Sequence, residues 1–268
     1  MRFSRSGDGG KSWSAPVTLN DDTAGAPVSH QFHGAAWSGD SGILVAWLDE
    51  RASGGMPRKA PGAVADPHGH SGSEPDATIY LASSDDFGRS WEANRPLWGA
   101  ACPCCRVSLA RGADGRVISA WRKHYSGDVR DVVLASLDAD SSQLRRVHHD
   151  DWVYPGCPHT GPAVAVNAAG NHVVWYTGKQ GGAGVFYSLA DGGALAAYDV
   201  DGAGKRAVTL AWVLADGSVR AQARVPGSEQ GTYPQLVVAG ARGAVVAWTE
   251  PTGAGARVRV AGVRLSGR

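Results

Sequence analysis

The chain has 268 residues, 43% of them hydrophobic, with 26 basic and 25 acidic side chains and a net charge of +1. That length and apolar content support a sizeable core and exclude a disordered chain; the charge balance offers no global field to nucleic acid or an anionic membrane, and no run approaches the roughly 20 apolar residues of a spanning helix. With 37 Gly, 14 Pro, 10 Trp and 2 Met, the composition is one of short strands joined by many turns, so an all-β fold is expected.

Along the chain, Arg2 to Ser6 reads as a strand entering a turn. Ser6-Gly7-Asp8-Gly9-Gly10-Lys11-Ser12-Trp13 then follows the pattern Ser-x-Asp-x-Gly-x-Ser/Thr-Trp at every position, and Ser84-Asp85-Asp86-Phe87-Gly88-Arg89-Ser90-Trp91 repeats it. Chemically this is a hairpin turn: the Asp carboxylate accepts bonds from turn amides, Gly takes a backbone shape other residues resist, and Trp is expected to pack beneath. Weaker copies follow at Ser136–Asp140 and Ser188–Gly193.

Five apolar strands run into a Trp: Ile43 to Trp47, Val117 to Trp121, Val173 to Trp175, Ala207 to Trp212, and Ala244 to Trp248. The intervals shorten along the chain, so the later units are minimal and the earlier ones carry insertions. Periods of about 40 to 50 residues indicate a propeller, with these as the second strands of five blades. A β-sandwich with irregular strands is the competing architecture, but it accounts for neither the octapeptides nor the recurring Trp.

The two octapeptides resemble the Asp boxes of sialidases and other BNR-repeat β-propellers. The resemblance implies a single sialidase-like propeller domain over residues 1–268, six-bladed in its parent form, with five and a half blades in this chain. The start MRFSRSGDGG is not a secretory signal, so a signal and half a blade are expected upstream, giving a periplasmic or secreted monomer. A five-bladed ring closed by Arg257–Leu265 on the N-terminal segment is the alternative.

Because strand direction alternates within a blade, the Asp boxes fall on one face, and the inter-blade connections fall with the loops between second and third strands on the other. Those loops carry His30, His33, Asp49-Glu50-Arg51, His68, His70, Cys102-Pro103-Cys104-Cys105-Arg106, Arg122-Lys123-His124, Arg130-Asp131, Tyr154, Cys157-Pro158-His159, Tyr176, Tyr233 and Glu250. Such a gathering of polar and aromatic residues on a rigid scaffold is where a site is expected; solvation of ordinary loops is the plain alternative for any one of them.

Three functions follow. Resemblance to sialidases implies an exo-glycosidase that clamps a terminal acidic sugar with three arginines and uses a Glu-activated Tyr nucleophile and an Asp acid. The candidates are Asp49, Arg51, Arg106, Arg122, Arg130, Asp131 and Tyr154, with Tyr176, Tyr233, Glu50 and Glu250 as further choices; the Arg-Ile-Pro motif of that family does not occur in the chain. The second function is a non-hydrolytic propeller with a zinc or copper site at Cys102, Cys104, Cys105, Cys157 and His159, the same cysteines alternatively forming disulfides between adjacent blades. The third is an interaction scaffold. No nucleic-acid or membrane partner is expected; a carbohydrate or other small ligand would bind the face opposite the boxes.

Overall fold

The computed structural model describes residues 1–22, 28–53, 76–167, 170–188, 194–202, 205–213, 218–238, 243–253 and 255–264; His68, His70 and most of the Ser188–Gly193 copy lie outside them. Among the described residues the chain is all-β with antiparallel pairing, interrupted by single 3-10 turns at Arg51–Ser53 and Ser141–Gln143. It divides into two compact units, Met1–Ser188 and Leu189–Arg268.

In the first unit a two-stranded ribbon, β1 (Arg2–Phe3) and β2 (Val17–Thr18), carries the first Asp box. A meander follows: β3 (His30–Ser38), β4 (Gly42–Asp49), β5 (Ala77–Ser84) and β6 (Arg95–Ala101). A second meander comprises β7 (Ser108–Arg111), β8 (Val117–Tyr125), β9 (Val129–Ser136) and the short β10 (Arg145–Arg146). A third holds β11 (Ala163–Asn167), β12 (Gly170–Thr177) and β13 (Gly184–Ser188).

In the second unit, β14 (Ala194–Gly202), β15 (Lys205–Val213) and β16 (Val219–Glu229) form one sheet, and β17 (Thr232–Val238), β18 (Gly243–Thr252) and β19 (Gly255–Arg264) another. Val208, Leu210 and Val225 pack with Val246 and Trp248 between them. Each of the five Trp-bearing strands is the second strand of its meander, as the repeat predicts.

Alternation along the strands explains the layering. On β4, Ala46 and Leu48 face the second meander through Ile79, Leu81, Trp98, Trp121 and Val133, whereas Val45 and Trp47 face Leu19 and Ala82 on the other side. On β9, Val133 joins the first of these clusters and Val132 meets Val173 and Trp175 of the third meander. Trp98 and Trp121 stack at 4.4 Å and 6°, adding about 0.5–1.5 kcal/mol to their area burial.

Both Asp boxes form the expected turn. Asp8 accepts from the Ser12 amide (3.0 Å) and hydroxyl (2.6 Å), Asp86 from those of Ser90 (2.9 and 2.7 Å), and Ser6 and Ser84 accept from the Gly10 and Gly88 amides. The Trp expectation holds for Trp91, which meets Phe3 edge-on at 4.9 Å, and fails for Trp13, which is 64% exposed. At Ser136 only the first contact, to Asp138, is formed; Asp140 instead caps the following 3-10 turn. The second box precedes β6 and the cysteines follow it, so seven residues at ~3.3 Å each separate box from thiols.

The first strands of the three meanders lie side by side, and glycine makes that possible. A Cβ on Gly34 would sit 2.5 Å from the Val107 carbonyl oxygen. The segment from Cys102 to Val107 is thus held against β3.

Candidate metal centre

The thiol cluster begins where β6 ends. The Cys102 amide donates to the Arg122 carbonyl at 2.9 Å, and the Cys105 amide turns back to the Cys102 carbonyl at 3.3 Å. The turn is tied to β3, where Val107 N–H meets the Phe32 carbonyl at 3.0 Å and the Gln31 amide side chain meets the Pro103 carbonyl. Strand β3 is bulged there: its register slips between Gln31 and Gly34, and Phe32 has φ 56°.

This turn puts three sulfurs together. Cys102–Cys105, Cys102–Cys104 and Cys104–Cys105 are separated by 3.3, 3.7 and 3.9 Å between Sγ atoms, with all three residues buried. The Cys157 thiol, from the connection between β10 and β11, hydrogen-bonds Cys102 and Cys104 and packs against the cluster. Four cysteines from two successive connections therefore converge, as expected from the sequence, and none is joined in a disulfide: the disulfide alternative is not formed. A sulfur pair bridged covalently needs about 2.05 Å, whereas sulfurs each about 2.3 Å from one tetrahedral ion stand about 3.8 Å apart.

Hydrogen bonds with Cys104, Cys105 and Cys157, aided by the Arg130 charge, push the Cys102 pKa far down; Cys104 is pushed up chiefly by its bond to Cys102, and Cys105 chiefly by burial. Arg130 Nη1 donates to Cys102 Sγ at 3.1 Å, while its Nε donates to the Tyr154 carbonyl at 2.8 Å.

The loop that delivers Cys157 is braced by residues expected to be catalytic. Asp131 accepts from the amides of Asp151 (2.9 Å) and Trp152 (3.2 Å) and pairs with Arg146 at 2.6 Å. Arg122, 1% exposed, donates to the carbonyls of Thr160 (3.0 and 3.1 Å), Tyr176 (2.7 Å) and Arg130 (2.6 Å), and its guanidinium lies 4.9 Å over the Trp152 ring. Arg122 and Lys123 belong to β8, and Arg130 and Asp131 to β9, rather than to loops. The hairpin is shorter than the sequence suggested, because Gly127 (φ 77°) and Asp128 (φ 58°) turn the chain tightly.

Arg51 and Asp49 form a separate network. Asp49, fully buried, accepts from Arg51 Nε at 3.0 and 3.1 Å and from Trp47 Nε1 at 2.8 Å, and meets His30 Nδ1 at 2.9 Å. Arg51 also reaches Asp21 at 2.6 Å and stacks 4.3 Å over Tyr80. Arg106 lies near His33, whose pKa is lowered by burial and then by that charge. Arg51 is thus engaged by carboxylates, Arg122 by carbonyls, and Arg130 by a carbonyl and a thiol.

Tyr154 contributes its carbonyl to Arg130 and its ring to Trp152, 5.4 Å away. The His159 ring lies 6.2 Å from Phe32, which itself packs on the thiols. Tyr176 is partly exposed beside Trp152; in the second unit Tyr233 is exposed and Glu250 pairs with Arg257 at 2.8 Å. Sequence reasoning missed Phe32, which gives a carbonyl to Val107 and its ring to the thiols, Thr160, which gives a carbonyl to Arg122, and Gly34, which acts by lacking a side chain; none of them belongs to a motif.

No family model matches the chain, and no curated protein matches it. Among solved structures it is similar to a Hadza microbial sialidase, Hz136, with TM-score 0.55 and 13% identity over 98% of this chain and 58% of that one. It is also similar to a protein of unknown function from Dyadobacter fermentans DSM 18053, with TM-score 0.52 and 15% identity over 97% of this chain and 82% of that one. The chain therefore spans less than two thirds of the sialidase's length. The likeness is one of fold: the chain shares a sialidase-like propeller fold.

Proposed function

We propose that this protein is a propeller that binds a thiophilic metal ion, zinc or cuprous copper, through Cys102, Cys104, Cys105 and Cys157. The observation that carries the reading is the set of three buried sulfurs separated by 3.3–3.9 Å with a guanidinium on one of them. Thiolates are the ligands these d10 ions favour, and a shared ion explains why thiols gather without bonding to one another. The cluster is buried, as structural thiolate sites are, so the ion fastens the connection before β7 to the one before β11. In a periplasmic or secreted setting, such an ion would also keep the cysteines from oxidising. The test is metal analysis and thiol titration on protein prepared without reductant or chelator: about one ion per chain and thiols that react only after denaturation with chelator support it, and metal-free protein with accessible thiols overturns it.

A second reading, hydrolysis of a terminal acidic sugar, is favoured by the similarity in fold to a microbial sialidase. It needs a three-arginine clamp, and the engagement of Arg51 and Arg122 by other partners weighs against one built from them. Release of fluorophore from a fluorogenic sialoside tests it.

A further inference from the structure

We propose that Arg130 is a positioning residue of the thiolate site, the fixed positive charge that lets a divalent ion and four thiolates occupy a buried position together. The inference rests on the metal reading above.

Four thiolates around a divalent ion carry two negative charges in excess, and a net charge taken out of water is costly unless it is compensated nearby. Cys102, Cys104 and Cys105 are 0–3% exposed. Arg130 brings a positive charge to the cluster, donating through Nη1 to Cys102 Sγ at 3.1 Å. Arg130 is itself only 6% exposed, and the charged groups acting on it are the thiols of Cys102, Cys157 and Cys104. Unlike Arg122, whose guanidinium is met by carbonyls, Arg130 directs one nitrogen at a sulfur, and thiolates there supply the opposite charge.

Its position leaves little freedom. Nε is held by the Tyr154 carbonyl at 2.8 Å, the Arg130 amide donates to the Trp152 carbonyl at 2.9 Å, and its own carbonyl accepts from Arg122 at 2.6 Å. The planar fork therefore ties the Cys157-bearing loop with one nitrogen and Cys102 with another, which a lysine ammonium cannot do with the same geometry. An N–H donated to a coordinating sulfur withdraws electron density from it, lowering the energy of the sulfur lone pairs that bind the metal.

The experiment compares full-length wild type, Arg130→Lys and Arg130→Met by competition for Zn(II) against a chromophoric chelator, and records the sulfur-to-metal charge-transfer band after Co(II) substitution. The expected result is one ion per chain in the wild type, affinity lowered about 10–100-fold in Arg130→Met with the band moved to longer wavelength, and partial recovery of affinity in Arg130→Lys. A merely structural role would leave the band of the metal-loaded variants in place. Equal affinity and an unmoved band in Arg130→Met overturn the inference while the metal site stands. A wild type that binds no Zn(II) or Co(II) overturns both. If Arg130→Met does not fold, the Arg130→Lys band decides: unmoved, with unchanged affinity, it counts against the proposal.

Discussion

Gly161 and Arg106 are so close that a Cβ on Gly161 would lie 2.3 Å from the Arg106 carbonyl oxygen and 2.7 Å from its amide nitrogen. The contact is backbone on backbone, so no rotamer change relieves it. Gly161→Ala must push β11 and the Cys157 loop away from the Cys102–Val107 segment. A destabilisation of about 1–3 kcal/mol is expected, as for other overpacked sites, together with loss of bound metal. Chemical denaturation and metal analysis of the same preparation check both.

Cys157 is the one cysteine that reaches the cluster from a different connection. Cys157→Ser should lower metal affinity by more than the roughly 10–100-fold that removing an outer hydrogen bond costs, and the loss of thermal stability should disappear when both proteins are compared without metal. A stability difference that persists in metal-free protein would mean that Cys157 acts through packing.

The Asp-box carboxylates make stability depend on acid. Bonds from the Ser12 side chain and amide hold Asp8 at about 2, and bonds from the Ser90 amide and side chain push Asp86 down as well. Because the folded values lie below the unfolded value of about 3.9, the stabilisation is complete above that pH and is lost as pH falls from about 4 towards 2. Melting curves across that range should steepen the loss for wild type relative to Asp8→Asn and Asp86→Asn, whose melting temperatures start lower and fall less.

Phe87 occupies, with φ 61°, the position that Gly9 fills with φ 72° in the first box. A side chain there costs about 1–2 kcal/mol of backbone strain, partly offset by its contact with Trp37 at 6.4 Å. Phe87→Gly should leave stability unchanged or raise it by up to about 1 kcal/mol in a denaturant titration; a clear loss would show that the ring contact outweighs the strain.

Arg122 carries a buried charge satisfied by carbonyls of Thr160, Tyr176 and Arg130. Arg122→Met leaves those carbonyls without their charged donor, at about 1.5–3 kcal/mol for a hydrogen bond of this kind. The expected outcome is a fall in melting temperature with or without any sugar present. If instead stability is unchanged while turnover of a fluorogenic sialoside disappears, Arg122 contacts substrate.

Short-range patterns were legible in the sequence because their chemistry is local. The Asp boxes at Ser6–Trp13 and Ser84–Trp91 close their own hydrogen bonds within eight residues, and the strands that carry Trp47, Trp121 and Trp175 declare their place by apolar runs. Convergence of Cys157 on Cys102, Cys104 and Cys105 was also legible, since successive repeats place equivalent connections side by side. The roles of Arg51, Arg122, Arg130 and Asp131 were not: a guanidinium serves a substrate carboxylate, a backbone carbonyl or a thiolate equally well, and only the packed chain decides which stands opposite it. Tertiary structure alone put the Arg130 fork between Tyr154 and Cys102, left Trp13 in solvent while Trp91 found Phe3, and brought Gly34 and Gly161 against Val107 and Arg106. Each depends on segments tens of residues apart, whose meeting no local pattern encodes.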